Sequence, residues 1–304
     1  MSEEVYKLKT AVMMIVFNRP DTTKEVFEEI RKARPSRFYL VSDAPRKGRP
    51  DDIDKVKECR EYVESHIDWP CEFKKNYAEE NMGCKERMHT GISWVLSQEP
   101  HTIILEDDVV PAPEFFRYCD ELLELYKNDK KVMMISGTNL LKGAKIKGAY
   151  TFSCFSSIWG WATWARAWKY YDPDVKTWPQ VKRKGELKKV QSGLSYLFIK
   201  KHVNSVYTHK KDTWDIQWDY CRHTHGGLGI VPAVNMIRNI GFDREDATHT
   251  NWHSEEDFSY GKMRFPMKKR KTIRRDTEYD KAYIRKYYGT KKFMEAVKKK
   301  LHIY

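Results

Sequence analysis

No apolar run in the chain is long enough to cross a bilayer, which takes about 20 residues; the run nearest the N-terminus covers only residues 11–17. No charged n-region, long apolar core and cleavage site open the sequence, so no secretory signal is expected. The six cysteines (Cys59, Cys71, Cys84, Cys119, Cys154, Cys221) form no C-x-x-C pair. A disulfide framework and a cysteine zinc site are therefore not expected, and a reducing, cytoplasmic setting is. There is no G-x-S-x-G elbow, which argues against a serine hydrolase of that kind. His223 and His225 lack a third ligand at zinc-protease spacing. No internal repeat is visible.

Charge of one sign is scarce over most of the chain and concentrated at its end. Of the 56 Lys and Arg and 43 Asp and Glu, residues 261–304 hold 16 basic against 4 acidic, a balance of +12. The first 260 residues hold 40 against 39. This near-neutral main body argues against a whole-surface nucleic-acid binder, and no nucleic-acid partner is expected. Hydrophobic residues reach 40% and aromatics 13%, enough for a packed core in 304 residues.

The first half alternates strand and helix signals. Apolar runs at 10–17, 37–41, 71–77, 101–105 and 131–136 predict strands. Helices are predicted after Asn18-Arg19-Pro20-Asp21, over 51–66, after Asn81-Met82-Gly83 and from Pro113. This pattern predicts an α/β class with a mostly parallel sheet covered on both faces. Ligands then bind beyond the carboxyl ends of the strands. Two such ends carry acid: Asp43, and Glu106-Asp107-Asp108. Three adjacent acids between apolar residues cannot all be buried as bare charges, so a cation or hydrogen-bond donors must meet them. A hard divalent ion, Mn2+ or Mg2+, suits carboxylates and takes phosphate oxygens as further ligands. The bland alternative is an acidic turn that starts the next helix.

The segment from Ile103 through Glu106-Asp107-Asp108 to Phe116 resembles the metal-binding region of the eukaryotic N-acetylglucosaminyltransferase I family, with a GT-A, Rossmann-like fold. The stretch 11–20 with Arg19, the Val41-Ser42-Asp43 string, and Thr213-Trp214-Asp215-Ile216-Gln217-Trp218 resemble further motifs of that family in the same order. Trp159-Gly160-Trp161-Ala162-Thr163-Trp164 and Asn239-Ile240-Gly241-Phe242, with the stretch 246–250, look like bacterial relatives. The resemblance implies an inverting hexosyltransferase of prokaryotic style that uses a UDP-sugar donor (N-acetylglucosamine or a related hexose) and a glycan or lipid-linked acceptor. It implies that Asp108 binds the metal, Asp107 the ribose, Glu106 the donor sugar, Arg19 the nucleotide and Asp43 the uracil. Asp215 would be the catalytic base. The family's Trp-Asp-Asp-Trp is altered here, so Asp219 is a rival for that role. His249 is a candidate late metal ligand, with a structural histidine as the alternative.

Inverting transfer builds charge on the leaving diphosphate, and Lys85 and Arg87 are candidates to neutralise it; solvated helix charges are the alternative. Trp159, Trp161 and Trp214 are candidates to stack on acceptor sugar, against the alternative of core packing. The expected organisation is a catalytic domain at 8–250 and a basic extension at 251–304. The domain divides into a nucleotide-sugar half at 8–137 and an acceptor half at 138–250. Ile284, Tyr287 and Tyr288 form one apolar patch in the extension, and Phe293, Val297 and Leu301 a second. Residues 261–304 are expected either to dock on an anionic membrane at its inner face or to pack on the domain. Two other readings remain. A non-catalytic carbohydrate- or nucleic-acid-binding protein gives no reason for the acidic triplet. A sugar-1-phosphate nucleotidyltransferase would need a glycine-rich loop where Asn18-Arg19-Pro20-Asp21 stands.

Overall fold

The structure, a computed structural model, describes residues 6–289 except 142, 192, 243 and 245–258. Its strands are β1 (Ala11–Val16), β2 (Arg37–Ser42), β3 (Glu72–Tyr77), β4 (His101–Glu106), β5 (Val109–Pro111), β6 (Val132–Ser136), β7 (Tyr150–Ser153), β8 (Trp161–Trp164), β9 (Leu228–Pro232) and β10 (Ile237–Asn239). The helices are α1 (Pro20–Ala33), α2 (Pro50–Ser65), α3 (Gly83–Leu96), α4 (Pro113–Leu125), α5 (Ala165–Trp168), α6 (Trp178–Lys184), α7 (Gly193–Tyr207), α8 (Asp215–Thr224) and α9 (Thr277–Tyr288). Proline in the first turn starts α1, α2 and α4, where its fixed φ and missing N–H cost nothing.

Eight strands form one sheet in the order β3-β2-β1-β4-β8-β6-β9-β7. β3, β2, β1 and β4 run parallel, as do β6 and β9, while β8 and β7 oppose their neighbours. The α/β class with a mostly parallel, Rossmann-like sheet is thus the class observed. β1 lies between β2 and β4, so the chain leaves on one side of β1 and returns on the other. That reversal opens a crevice at the strands' carboxyl ends.

Strand pleating assigns alternate residues to two cores. Val12, Met14, Phe38, Leu40, Ile103 and Leu105 join the α1, α2 and α4 side, with Phe27, Cys59 and Phe115. Ala11, Met13, Tyr39, Val41 and Ile104 join the α3 and α8 side, with Met88, Ile92 and Trp218. Both faces are covered, which is why β1 reads as an uninterrupted apolar run. The second half of the chain contributes to the same sheet: β8 inserts between β4 and β6.

The stretch 259–289 is built onto this body. Tyr260 donates to the Val110 carbonyl at 3.0 Å, the Arg270 N–H to Tyr126 Oη at 3.0 Å, and the Asp276 N–H to the Phe152 carbonyl at 2.8 Å. Asp276 caps α9 by accepting from the Tyr279 N–H at 3.0 Å. Met263, Phe265 and Met267 point inward at every second position, while Lys262, Arg264 and Lys268 are exposed. The first apolar patch of the extension is consumed the same way: Ile284 and Tyr288 pack on the main core and Tyr287 against Leu141 and Val231. The second patch lies outside the described residues. Tyr279 is 5% exposed in the Leu141–Val231 cluster. Tyr279→Ala should therefore destabilise the protein by about 3 kcal/mol or more, as a core truncation does. A urea-unfolding midpoint equal to that of the wild type would show that α9 is not part of the cooperative unit.

Candidate active site

The acidic triplet closes β4. Glu106 is the last residue of the strand and pairs with Ile15 of β1. By the pleat it continues the Ile104 side, toward α3 and α8, while Asp107 turns to the opposite side. Asp107 accepts from the Phe17 N–H at 3.2 Å, at the end of β1. Asp108 receives the Arg19 guanidinium at 3.1 Å. The Asp108 carbonyl accepts from the Ile240 N–H at 2.8 Å, just beyond β10, which pairs with β5. The next residue is Gly241, where a Cβ would fall 2.2 Å from Asp108 Oδ2. Arg244, further along the same strand exit, pairs with Asp21 of α1 at 2.5 Å.

These carboxylates sit in a recess that keeps part of each accessible while protein surrounds it. Burial raises the Glu106 pKa well above the ordinary carboxylate range, reinforced by Asp108, Asp107 and Asp215. Burial and then Asp108 push Asp107 up to about 7. Asp108 is raised by burial and relieved by Arg19, its own N–H and Arg244. Cys84, in the first turn of α3, faces the same charge: burial and then Glu106, Asp215, Asp212 and Asp107 raise its thiol pKa.

The other expected residues divide. Asp215 opens α8 and accepts from Thr213 Oγ1. Its charge adds to the rise at Glu106. Asp219, one turn later, is tied to Arg222, whose side chain is 0% exposed. Asp43 does not present free lone pairs. It accepts from the Ala44, Met82 and Gly83 N–H groups, each at 2.9 Å, and from Asn81 at 3.2 Å. That fills the four positions of a carboxylate and makes Asp43 the anchor of the α3 N-terminus, so a uracil N–H would have to compete for an occupied site. Arg87 is buried and donates to the Asn76 carbonyl and side chain, away from the triplet. Lys85 reaches Asp174 at 3.5 Å. Trp161 and Trp214 are 0% and 3% exposed and stack at 5.6 Å within the α8-side core, which leaves no face for an acceptor sugar. Trp159 is half-buried against Phe242 at 5.1 Å. His249 lies outside the described residues.

Two groups escaped the sequence reading as site residues, Gly241 and Arg244. Both follow β10, and only its pairing with β5 brings them beside Asp108. Among the described residues no three His, Cys, Asp or Glu side chains converge as a complete metal-ligand set. The donors present are hard carboxylate oxygens with excess negative charge. They fit an ion that keeps water and takes most of its remaining ligands from phosphate.

No protein-family model and no curated protein matches the chain. The chain is similar over part of its length to several solved structures. A crystal structure of GalNAc-T7 with UDP, GalNAc and Mn2+ is 14% identical with a TM-score of 0.41, over 55% of this chain and 38% of that one. The mannosyltransferase PcManGT from Pyrobaculum calidifontis, in complex with GDP-Man and Mn2+, is 15% identical with a TM-score of 0.36, over 59% and 47%. UDP-glucose pyrophosphorylase complexed with UDP-glucose is 11% identical with a TM-score of 0.26, over 48% and 62%. In each case the match spans less than two thirds of the other chain.

The raised pKa values fix a pH dependence. The native state holds these protons more tightly than the unfolded state, whose carboxylates titrate near about 4. Over the window from there to about 7 for Asp107, the native state binds more protons, so stability falls as pH rises. Asp107→Asn keeps the acceptor for Phe17 and removes the charge. It should flatten this slope and unfold at a higher temperature than wild type at about pH 8. Thermal unfolding across the window measures it, and an unchanged slope contradicts the burial of charge at Asp107.

Proposed function

We propose that this protein is a metal-dependent glycosyltransferase. In this reading it moves a sugar, N-acetylglucosamine or a related hexose, from a UDP-sugar to a hydroxyl of a glycan or lipid-linked acceptor, with inversion. One observation carries the reading: three adjacent carboxylates at the reversal point of the sheet, with Arg19 against Asp108 and Asp215 near enough to act on Glu106 by charge. The narrower kinship to N-acetylglucosaminyltransferase I rests on motif order alone.

Asp108, with its carboxylate in the recess beside Gly241, would hold Mn2+ or Mg2+. A bound divalent ion supplies charge neutralisation for the departing diphosphate. Arg19, and Arg244 from the other side, add positive charge where that diphosphate would lie. Asp107 would take the ribose hydroxyls. Glu106 would meet the donor sugar, and its burial, reinforced by the neighbouring carboxylates, favours the protonated form that can donate a hydrogen bond. As the acceptor oxygen bonds to the anomeric carbon and the bond to diphosphate breaks, the acceptor proton passes to Asp215. The alternative base Asp219 is less suited, because its carboxylate already neutralises the buried Arg222.

Asp215→Asn should lower kcat by roughly 10² to 10⁴-fold while UDP affinity holds. Asp108→Ala should instead abolish metal-dependent UDP binding. Steady-state kinetics with a panel of UDP- and GDP-sugars, and calorimetric titration of UDP with and without Mn2+, separate the two. UDP binding by Asp108→Ala with unchanged metal dependence would defeat the reading.

The described residues contain no helix long and apolar enough to cross a membrane. Contact with an anionic bilayer is supported in this stretch by the outward Lys262, Arg264 and Lys268, each worth about 1 kcal/mol near such a surface. Replacing all three with Gln should reduce co-sedimentation with phosphatidylserine vesicles by at least about tenfold. Equal pelleting of both forms would remove the membrane from the proposal.

A further inference from the structure

Asp108 Oδ2 is enclosed on two sides. The Arg19 guanidinium meets it at 3.1 Å, and the backbone of Gly241 approaches so closely that a Cβ there would stand 2.2 Å away. The two side chains of the pair are only 14% and 20% exposed. An ion seeking this oxygen meets a guanidinium already in contact with it. The backbone around Arg19 is fixed: Pro20 begins α1, and the Arg19 carbonyl accepts from the Thr23 N–H at 3.0 Å and from Thr22 Oγ1 at 3.3 Å. The Asp108 carbonyl is likewise held by Ile240. An exchange of partners at this pair needs only a rotamer change of the Arg19 side chain, which moves no helix.

We propose that Arg19 is an exchangeable counter-ion that blocks the Asp108 carboxylate until a nucleoside diphosphate draws the guanidinium away. This inference rests on the metal assignment to Asp108 given above. A guanidinium binds a diphosphate in the same two-pronged fashion as a carboxylate, and the diphosphate brings more negative charge to it. When Arg19 turns to the diphosphate, Asp108 loses its partner and becomes available to a divalent cation. The cation, by taking Asp108, in turn releases Arg19. Each ligand thus removes the competitor of the other. The two bind with positive coupling beyond their direct contact, and the coupling is reciprocal. No bond is made or broken in this exchange; one ion pair is replaced by two. Metal alone then binds weakly, and the site fills with the pair rather than with a stray cation.

The test measures Mn2+ binding directly, by electron paramagnetic resonance of free Mn2+, with and without UDP, on the full-length protein. Arg19→Gln should bind Mn2+ alone more tightly than wild type, within the roughly 5- to 150-fold range of such couplings. UDP should then enhance its Mn2+ affinity by a smaller factor than in wild type. Arg19→Lys keeps a cation at the carboxylate and should restore most of the competition. Arg244→Gln is the through-space control, since Arg244 acts on Asp108 by charge and also pairs with Asp21. It should change Mn2+ affinity less. Equal gains in Arg19→Gln and Arg244→Gln would overturn the exchange in favour of simple field effects. No gain in Arg19→Gln, while Asp108→Asn loses Mn2+ binding, would overturn it and leave the metal assignment standing. Wild-type Mn2+ binding by Asp108→Asn would remove the metal assignment and the exchange together.

Discussion

Three ionisable carboxylates in succession at the mouth of a buried strand are the constraint that the surrounding structure answers. Desolvating even one charge costs several kcal/mol unless it is met. The answer comes from two separate segments. The end of β1 offers the Phe17 N–H and Arg19, and the chain beyond β10 brings Arg244, while Asp215 of α8 adds further charge of the same sign. The response is incomplete, because all three carboxyls remain above their ordinary range. A stable fold does not need such a residue of uncompensated charge, and a site for a cationic ligand does.

Much of the first half was legible because its physics is local. Strands buried on both faces must be continuously apolar, and β1, β2, β4 and β6 were visible on that ground. The acidic triplet was legible because acid has no reason to end a buried strand unless something meets it. The second half was opaque because its order is long-range. β8 has four residues, no polar alternation, and neighbours β4 and β6 that come from far earlier in the chain. A tryptophan-rich strand at that position reads equally as core or as sugar platform. Only the sheet order shows Trp161 to lie under α8 rather than at the crevice.

The basic C-terminal stretch shows how net charge misleads when it is separated from register. A balance of +12 suggests a solvated tail, yet apolar residues occupy every second position from Met263 to Met267 and that face is buried. Arg117 covers the seam, stacked at 4.5 Å from the Phe265 ring and 4.8 Å from that of Tyr6. Several of the cations are consumed locally: Arg275 with the buried Asp280, Lys269 with Asp129 at 2.7 Å, and Arg270 on the carbonyls of Lys147 and Tyr150. Asp43 is the converse case. A carboxylate at a strand end resembles a ligand-reading group until its four acceptor positions are counted and found spent on one helix terminus.

Asp215 and Asp219 show how one helix gives two like residues different chemistry. A single turn separates them, and both influence Tyr288 of α9. Asp215 stands at the helix N-terminus, where the backbone dipole favours its charge and only Thr213 is recorded against its carboxylate. Asp219 is half-exposed, but it is bound to an arginine that has no solvent of its own. Removing a proton acceptor from Asp219 would therefore strand a buried guanidinium, a structural loss rather than a kinetic one. In α9, Tyr283 and Tyr288 pack against Phe155, and Tyr288 also against Phe198 of α7. Among the described residues the two flanks of this region have different origins. The donor side is fixed by β1, β4 and β10 through hydrogen bonds and ion pairs. The α7–α9 flank is held by aromatic packing, Phe198 on Tyr288, and α8 by Trp218 on Trp161 and Trp168, contacts that tolerate changes of shape more readily than ion pairs do.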